Sequence, residues 1–231
     1  MKQAKIITIS SSKGGAGKTT ALMCLADYWA GQGRRVALLD TDPNRSCSRW
    51  FEKGRKKGYY EGIVFRQEVD DKAIIGAARE LAAQADLLLI DVAGIASMSL
   101  FKAAGIADLV VIPAQPSEDD FLEAINTMNI VKDAMLMTKT TIPYRTVITR
   151  AKHGTKVLEH TVRQLQKLNF PVFDSVIADR TIYAQARFMG ATPVSYRPGC
   201  DAYHQIASLA DEIDSMLARS ASAQQQAHAA A

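Results

Sequence analysis

Short runs of apolar residues alternate along this chain with longer stretches in which apolar residues recur at helical spacing. The short runs are rich in aliphatic and β-branched residues and predict buried strands of a parallel sheet. These strands are predicted at residues 6–9, 35–40, 63–65, 86–91, 108–113, 144–150 and 172–177. Helices are predicted at residues 21–29, 72–83, 118–137, 155–169, 179–189 and 201–219.

This alternation predicts a fold of the α/β class, with a doubly wound, mostly parallel sheet flanked by helices. Residues 1–219 are expected to form one domain, because a chain of 231 residues suits a single α/β unit. Residues 220–231 are rich in alanine, glutamine and serine, and we expect them to form a disordered tail.

A glycine-rich loop, SSKGGAGKTT at residues 11–20, follows the first predicted strand and precedes the first predicted helix. Glycines let the backbone wrap closely around an oxyanion, and the N–H groups of the loop and of the helix N-terminus cradle phosphates. Lys18 is expected to neutralise the β- and γ-phosphates, and the Thr19 hydroxyl to coordinate Mg²⁺. The predicted nucleotide-binding residues here are Lys13, Gly14, Gly15, Ala16, Gly17, Lys18, Thr19 and Thr20. The context predicts a P-loop NTPase.

The loop departs from the ordinary pattern G-x-x-x-x-G-K-[ST] at its beginning. Ser12 stands where the first glycine is usual, and Lys13 adds a second lysine. Since Lys18 already serves the phosphates from within the loop, Lys13 is well placed to reach the nucleotide of a facing subunit. This arrangement predicts a homodimer with nucleotide between its two halves.

Two of the predicted buried strands end in acidic residues. One ends in Asp40 and continues into Asp42 and Pro43, and the proline disfavours a helical conformation at Asp42 and holds it in a turn. The other ends in Asp91, the pattern of a Walker B strand, and Asp91 is expected to hold Mg²⁺. Ligands bind at the carboxyl ends of strands in open α/β sheets, so these carboxylates are expected near the phosphates. Each aspartate alone would also fit a turn or a helix cap.

With the motif K-G-G-x-G-K-T-T, the sequence resembles the ParA/MinD group of P-loop ATPases, and most of all its small plasmid-partition ParA proteins. The resemblance implies ATP or ADP as ligand, Mg²⁺ as cofactor, and an ATP-sandwich dimer in which Lys13 crosses to the partner's phosphates. It also implies that Asp42 orients the attacking water, that Asp40 lies near the magnesium, that the Gly94 N–H approaches the γ-phosphate, and that Arg150 lies near the base. The implied catalytic residues are Lys13, Lys18 and Asp42, and the metal residues are Thr19, Asp40 and Asp91.

The net charge of +4 and the isoelectric point near 8.9 permit nucleic-acid binding without indicating it, so the distribution of charge must decide. In projection, the helix predicted at 155–169 has a basic strip opposite its apolar face, which fits a phosphate backbone better than a solvated face of mixed charge. The predicted DNA-binding residues are Lys152, Lys156, Arg163 and Lys167, with Arg180 and Arg187 added by analogy with the partition ATPases. The basic segment 45–58 fits a solvated surface helix and a partner or DNA contact equally well.

Together with these features, the resemblance implies a cytoplasmic ATPase that segregates a plasmid or another cargo. Its ATP-bound dimer is expected to bind non-specific DNA on the nucleoid, and a ParB-like or other cargo adaptor is expected to release it by stimulating hydrolysis. No signal peptide is expected, and no apolar run approaches the ~20 residues of a membrane span.

Three alternatives belong to other classes. A MinD-like positioning ATPase would need an amphipathic membrane helix, and the tail lacks the basic and bulky apolar residues for one. A reductase of the nitrogenase iron-protein type would need a cluster-ligating cysteine pair, for which the three separated cysteines are poorly placed. A small-molecule ligase or kinase would need a substrate pocket that the sequence does not identify.

Overall fold

The computed structural model describes residues 4–93, 98–152, 156–167 and 169–229. The strands are β1 (Lys5–Ile9), β2 (Val36–Asp40), β3 (Val64–Gln67), β4 (Leu87–Asp91), β5 (Leu109–Ala114), β6 (Tyr144–Ala151) and β7 (Val172–Ala178). The helices are α1 (Lys18–Gly31), α2 (Ser46–Arg55), α3 (Ile74–Ala82), α4 (Met98–Gly105), α5 (Glu118–Thr138), α6 (Lys156–Lys167), α7 (Thr181–Met189), α8 (Pro193–Tyr196) and α9 (Asp201–Ala229). Each predicted strand is present, with ends that differ by a few residues.

The strands form one sheet in the order β3-β2-β4-β1-β5-β6-β7, and every pairing is parallel. The cross-strand pairs Ile9–Asp91 and Asp40–Asp91 align the carboxyl ends of β1, β4 and β2 at one level. The loop after β1 and the two strand-terminal aspartates therefore meet at one edge of the sheet. This architecture confirms the predicted single-domain, doubly wound α/β fold.

Helices cover both faces of the sheet, because its central strands are apolar on both sides. On one face, α1, α2, α8 and α9 pack against strand residues such as Ile7 and Leu38. On the other face, α3, α4 and α5 pack against residues such as Leu39 and Ile112. Strands β2, β4 and β5 are buried along their whole length, which explains their continuous apolar runs. No helix in the described ranges has both the length and the apolar character needed to cross a membrane.

Three helices differ from the sequence prediction. The short helices α4 and α8 are not predicted by apolar spacing, although Thr192 caps α8 by accepting a hydrogen bond from the Val194 N–H. Helix α9 continues to Ala229, whereas the sequence predicted an end at Arg219 and a disordered tail over 220–231. Alanine and glutamine have high helix propensity, which favours continuation of a helix that is already formed.

Helix α2 lies against the end of α7 through two glycines. A Cβ on Gly54 of α2 would lie 2.5 Å from the carbonyl oxygen of Gly190 and 2.2 Å from the Tyr60 ring. The ring cannot move away freely, because the Tyr60 hydroxyl donates a hydrogen bond to the same carbonyl at 2.8 Å. The position of α2 therefore depends on the absence of a side chain at Gly54.

We expect Gly54→Ala to lower the free energy of unfolding by about 1–3 kcal/mol, because overpacking against backbone forces the two helices apart. Gly76→Ala is the matched control, since a Cβ on this α3 residue meets no described atom within 4 Å. Alanine there should raise stability by up to about 1 kcal/mol. Urea unfolding followed by circular dichroism measures both variants, and wild-type stability of Gly54→Ala would contradict the close contact.

Candidate nucleotide-binding site

The loop between β1 and α1 has the curled backbone that phosphate binding requires. Gly15 and Gly17 have positive φ angles of 82° and 95°, and Gly17 is the N-cap of α1. A Cβ on Gly17 would lie 3.2 Å from the methyl group of Thr149, whose hydroxyl donates to the Ala16 carbonyl at 2.8 Å. Strand β6 thus holds the loop in place against the N-terminus of α1, where an anion is stabilised.

Lys18, the first residue of α1, is folded back inside the loop. Its Nζ donates to the carbonyl oxygen of Lys13 at 2.8 Å, and the residue is only 8% exposed. Burial lowers the pKa of Lys18, while the carboxylates of Asp91 and Asp42 act in the opposite direction. The cation is therefore held at the centre of the loop, as neutralisation of bound phosphates requires.

Asp91 is buried at the end of β4 with one carboxylate oxygen unpaired. Thr19 Oγ1 donates to Asp91 Oδ2 at 2.8 Å, whereas Oδ1 is buried and has no hydrogen-bond partner among the described residues. Burial, and then repulsion by Asp40, raises the pKa of Asp91 to about 7. An unpaired buried carboxylate oxygen beside a threonine hydroxyl suits a hard cation such as Mg²⁺.

Two of the three predicted metal residues fit Mg²⁺ well. In the part of the chain that the structure describes, no three acidic, histidine or cysteine side chains form a metal cluster. Mg²⁺ is ordinarily held by one or two carboxylates together with waters and substrate phosphates. Asp91 supplies such a carboxylate, and Thr19 adds a hydroxyl beside it.

Asp40, the third predicted metal residue, is occupied by protein donors. Its Oδ1 accepts from the Asp42 N–H at 3.0 Å, and its Oδ2 accepts from the Ser48 N–H at 2.9 Å and from Ser48 Oγ at 2.6 Å. In the structure Asp40 therefore fixes the turn that carries Asp42. Its role as a metal residue stays a prediction.

Asp42 is half-buried and lies on the wall of a cleft at the strand ends. Its Oδ1 accepts a hydrogen bond from the Asn44 N–H at 2.8 Å. The cleft has a volume of about 930 Å³ and brings together most of the predicted site. The predicted residues that line it are Gly14, Gly15, Gly17, Lys18, Thr19, Thr20, Asp42 and Arg150. Gly94 lies outside the described residues.

A second pocket, of about 280 Å³, extends the cleft towards β6 and α7. Arg150, with a φ of 48°, lines both spaces, as does Arg187. Arg180 also lines the second pocket, where it pairs with Asp201 at 2.9 Å. The structure thus places Arg187, predicted as a DNA contact, in the cleft beside Arg150, and Arg180, also predicted as one, in the pocket that extends the cleft.

The predicted basic strip of α6 has mixed charge where its side chains are described. Two predicted DNA-binding residues form ion pairs with acids: Arg163–Glu159 and Lys152–Asp179, each at 3.7 Å. Lys167 is exposed, and the side chain of Lys156 lies outside the described residues. A role of these residues in DNA binding stays a prediction.

Lys13 points away from the interior of the loop and is paired with α5. Its Nζ lies 2.7 Å from Asp120 Oδ2, and this hydrogen bond is the main cause of the raised pKa of Lys13. Asp120 is 4% exposed and also accepts from Ser117 Oγ at 2.7 Å. The sequence does not single out Asp120, because α5 has three acids in its first turn and each of them is explained by a favourable interaction with the helix dipole.

The comparisons with known proteins decide the family. A model of the family described as VirC1 protein matches residues 4–198. The chain belongs to the VirC1 protein family. It is 30% identical over 188 residues to Protein virC1 of Rhizobium rhizogenes, with 80% of this chain and 81% of that protein covered.

A ParA protein and a McdA protein are also similar to most of the chain. Protein ParA of Rhizobium radiobacter is 26% identical over 181 residues, covering 78% of this chain and 80% of that protein. A variant of Cyanothece McdA in complex with ATP has the same fold, with a TM-score of 0.76, 16% identity and coverage of 93% and 98% of the two chains. These matches confirm the expected ParA/MinD type of P-loop ATPase, close to the plasmid-partition proteins.

We expect the free energy of unfolding, without nucleotide or Mg²⁺, to fall as the pH rises towards 7, because folding raises the pKa of Asp91 to about 7. Above the unfolded-state pKa the native chain keeps a proton that the unfolded chain has lost, so stability decreases by up to about 1.4 kcal/mol per pH unit. Asp91→Asn should remove this decrease. Urea unfolding at pH 5 and pH 8 measures it.

Asp86→Asn is the matched control, because Asp86 directly precedes β4, the strand that ends in Asp91. The hydrogen bonds from Arg35 lower the pKa of Asp86 to about 2, so its stabilising contribution is lost only as the pH falls through the acid range. The difference between pH 5 and pH 8 should therefore persist in Asp86→Asn. If the stability difference between pH 5 and pH 8 also persisted in Asp91→Asn, another group would be responsible for the pH dependence.

Proposed function

We propose that this chain is a partition ATPase that hydrolyses ATP and works as a nucleotide-dependent homodimer. The opposite placement of two lysines of one loop carries this proposal, since Lys18 is buried inside the loop while Lys13 lies at its rim against Asp120. The buried Lys18 is placed to neutralise phosphates bound in the loop of its own subunit. A lysine at the rim is suited to a nucleotide on the other side of a subunit interface.

The proposed substrate is ATP, with its phosphates on the glycine loop. Lys18 exchanges the Lys13 carbonyl for β- and γ-phosphate oxygens, while the Thr19 hydroxyl, 2.8 Å from Asp91 Oδ2, would be a metal ligand. Thr19 and Asp91 would hold Mg²⁺, which would neutralise charge on the phosphates. Asp42 accepts a hydrogen bond from the attacking water and orients it towards the γ-phosphorus, so that the products are ADP and phosphate.

In the proposed cycle, ATP closes the dimer, and Lys13 leaves Asp120 for the phosphates of the partner's ATP. The closed dimer binds non-specific DNA through Lys152, Lys156, Arg163 and Lys167. A ParB-like or other adaptor on a plasmid or other cargo stimulates hydrolysis, and the dimer then opens and leaves the DNA. The protein acts in the cytoplasm and on the nucleoid when ATP is bound.

Lys13→Ala should abolish ATP-dependent dimerisation and slow hydrolysis at least about 100-fold, because a charge that stabilises the transition state is lost. ATP binding by the monomer should persist, whereas Lys18→Ala should lose it. Light scattering and a fluorescent ATP analogue measure the two properties. Asp120→Asn is the control for the contact with α5. If it lost dimerisation as completely as Lys13→Ala, Lys13 would act through α5 and not across the interface.

Asp42→Ala should bind ATP, hydrolyse it at least about 100-fold more slowly and remain on DNA as a trapped dimer. Fluorescence anisotropy with a labelled non-specific duplex, with ATP, ADP or no nucleotide at two salt concentrations, measures this binding. Wild type should bind the duplex much more tightly with ATP than with ADP or without nucleotide, and the affinity should fall steeply with salt. Binding that ignores the nucleotide would contradict the cycle, and normal turnover in Asp42→Ala would assign the water to another residue.

A further inference from the structure

A strong concentration of positive charge lies in residues 45–58, between β2 and β3. This segment contains six basic residues and one acidic residue, so its net charge of +5 exceeds the +4 of the whole chain. Residues 156–167, which form α6, contain three lysines or arginines and one glutamate, a net charge of +2. Segment 45–58 therefore attracts a polyanion more strongly than the predicted DNA-contact helix does.

The structure places these charges on the outer side of α2 and in the turn after it. Trp50 and Phe51 pack into the core and are 3% and 6% exposed. The exposed cations of this segment include Arg49, Lys53, Lys56 and Lys57. The spacing i, i+4, i+7 of the first three puts them on one side of the helix. They form a row of positive charge, anchored by the two aromatic side chains beneath it.

Helix α7 adds an exposed aromatic ring to this row. Phe188 is 76% exposed, and Lys53 Nζ lies 5.0 Å from the centre of its ring. The helix end that carries the ring has a fixed place beside α2, because the backbone of Gly190 at the end of α7 lies against that of Gly54. We call this set the α2–α7 surface, consisting of Arg49, Lys53, Lys56, Lys57 and Phe188.

We propose that the α2–α7 surface binds single-stranded nucleic acid. The cations along α2 contact successive phosphates, and the ring of Phe188 stacks on an unpaired base. A basic track combined with an exposed aromatic ring is suited to single strands of any sequence, because every base has a stacking face. A duplex offers Phe188 no unpaired base, so only the phosphate contacts apply to it.

The composition of the surface favours nucleic acid over a membrane. A helix that lies in a membrane interface needs bulky apolar residues beside its basic ones. Among the residues of the α2–α7 surface, Phe188 is the single bulky apolar one, because Trp50 and Phe51 of α2 are buried. The proposal is also separate from the proposed function, because it concerns another surface and requires no nucleotide.

Fluorescence anisotropy with a labelled DNA oligonucleotide of mixed sequence tests the cations. The triple variant Lys53→Gln, Lys56→Gln, Lys57→Gln should bind the single strand at least about tenfold more weakly and lower the slope of log K against log salt by about 2. The matched control, Arg79→Gln, Lys132→Gln, Lys139→Gln, removes the same charge from exposed positions on α3 and α5 and just after α5. It should keep both the affinity and the slope.

The ring is tested by Phe188→Ala, which should weaken binding of the single strand about tenfold and leave duplex binding nearly unchanged. Phe188→Trp should restore the affinity. Leu136→Ala is the control for loss of an exposed apolar side chain, since Leu136 of α5 is 77% exposed.

Three results would overturn the proposal: equal losses in the two triple variants, equal effects of Phe188→Ala on single strand and duplex, or binding to anionic phospholipid vesicles in place of DNA. ATP hydrolysis and ATP-dependent dimerisation should be unchanged in the Lys53/Lys56/Lys57 triple variant. Single-strand binding without ATP-dependent duplex binding would count against the proposed function alone.

Discussion

The site depends on one constraint, which is that three adjacent parallel strands end at the same level of the sheet. The register pairs Ile9 with Asp91 and Asp91 with Asp40, so the glycine loop that follows Ile9 begins beside two buried carboxylates. A shift by one residue would turn every side chain of these strands to the other face, where it would meet different neighbours, so the specific packing on the two faces holds the register. The cleft, the buried Lys18 and the turn that carries Asp42 all follow from this alignment.

The two buried aspartates differ because the chain supplies them with different donors. Asp40 accepts hydrogen bonds from the Asp42 N–H and from both donors of Ser48, so it ties the end of β2 to α2. Among the described residues, the Asp91 carboxylate accepts only from Thr19 and keeps a buried oxygen without a partner. A negatively charged Asp91 in that position lowers the stability of the folded chain unless a cation neutralises it. Functional residues often lower the stability of the folded protein when their ligand is absent.

Helices α2 and α7 connect the cleft to the outer surface of the protein. Ser48 of α2 binds Asp40, and the Trp50 Nε1–H donates to the Ala191 carbonyl beyond α7 at 3.1 Å. The guanidinium of Arg187 lies 4.8 Å from the Trp50 ring and also lines the cleft. The basic row on α2 and the exposed ring of Phe188 therefore belong to the same pair of packed helices as the wall of the nucleotide site.

The sequence by itself determined the features that depend on neighbours along the chain. These include the strand positions, the glycine loop with Lys18 and Thr19, and the acids at the ends of β2 and β4. Only the tertiary structure decided that Lys13 pairs with Asp120, 107 residues away, and that Arg187 lines the cleft and Arg180 the pocket beside it. Periodicity and motifs record the local preferences of the backbone. Contacts between distant residues instead depend on which helices pack side by side and on the register of the strands beneath them, and no short stretch of sequence contains that information.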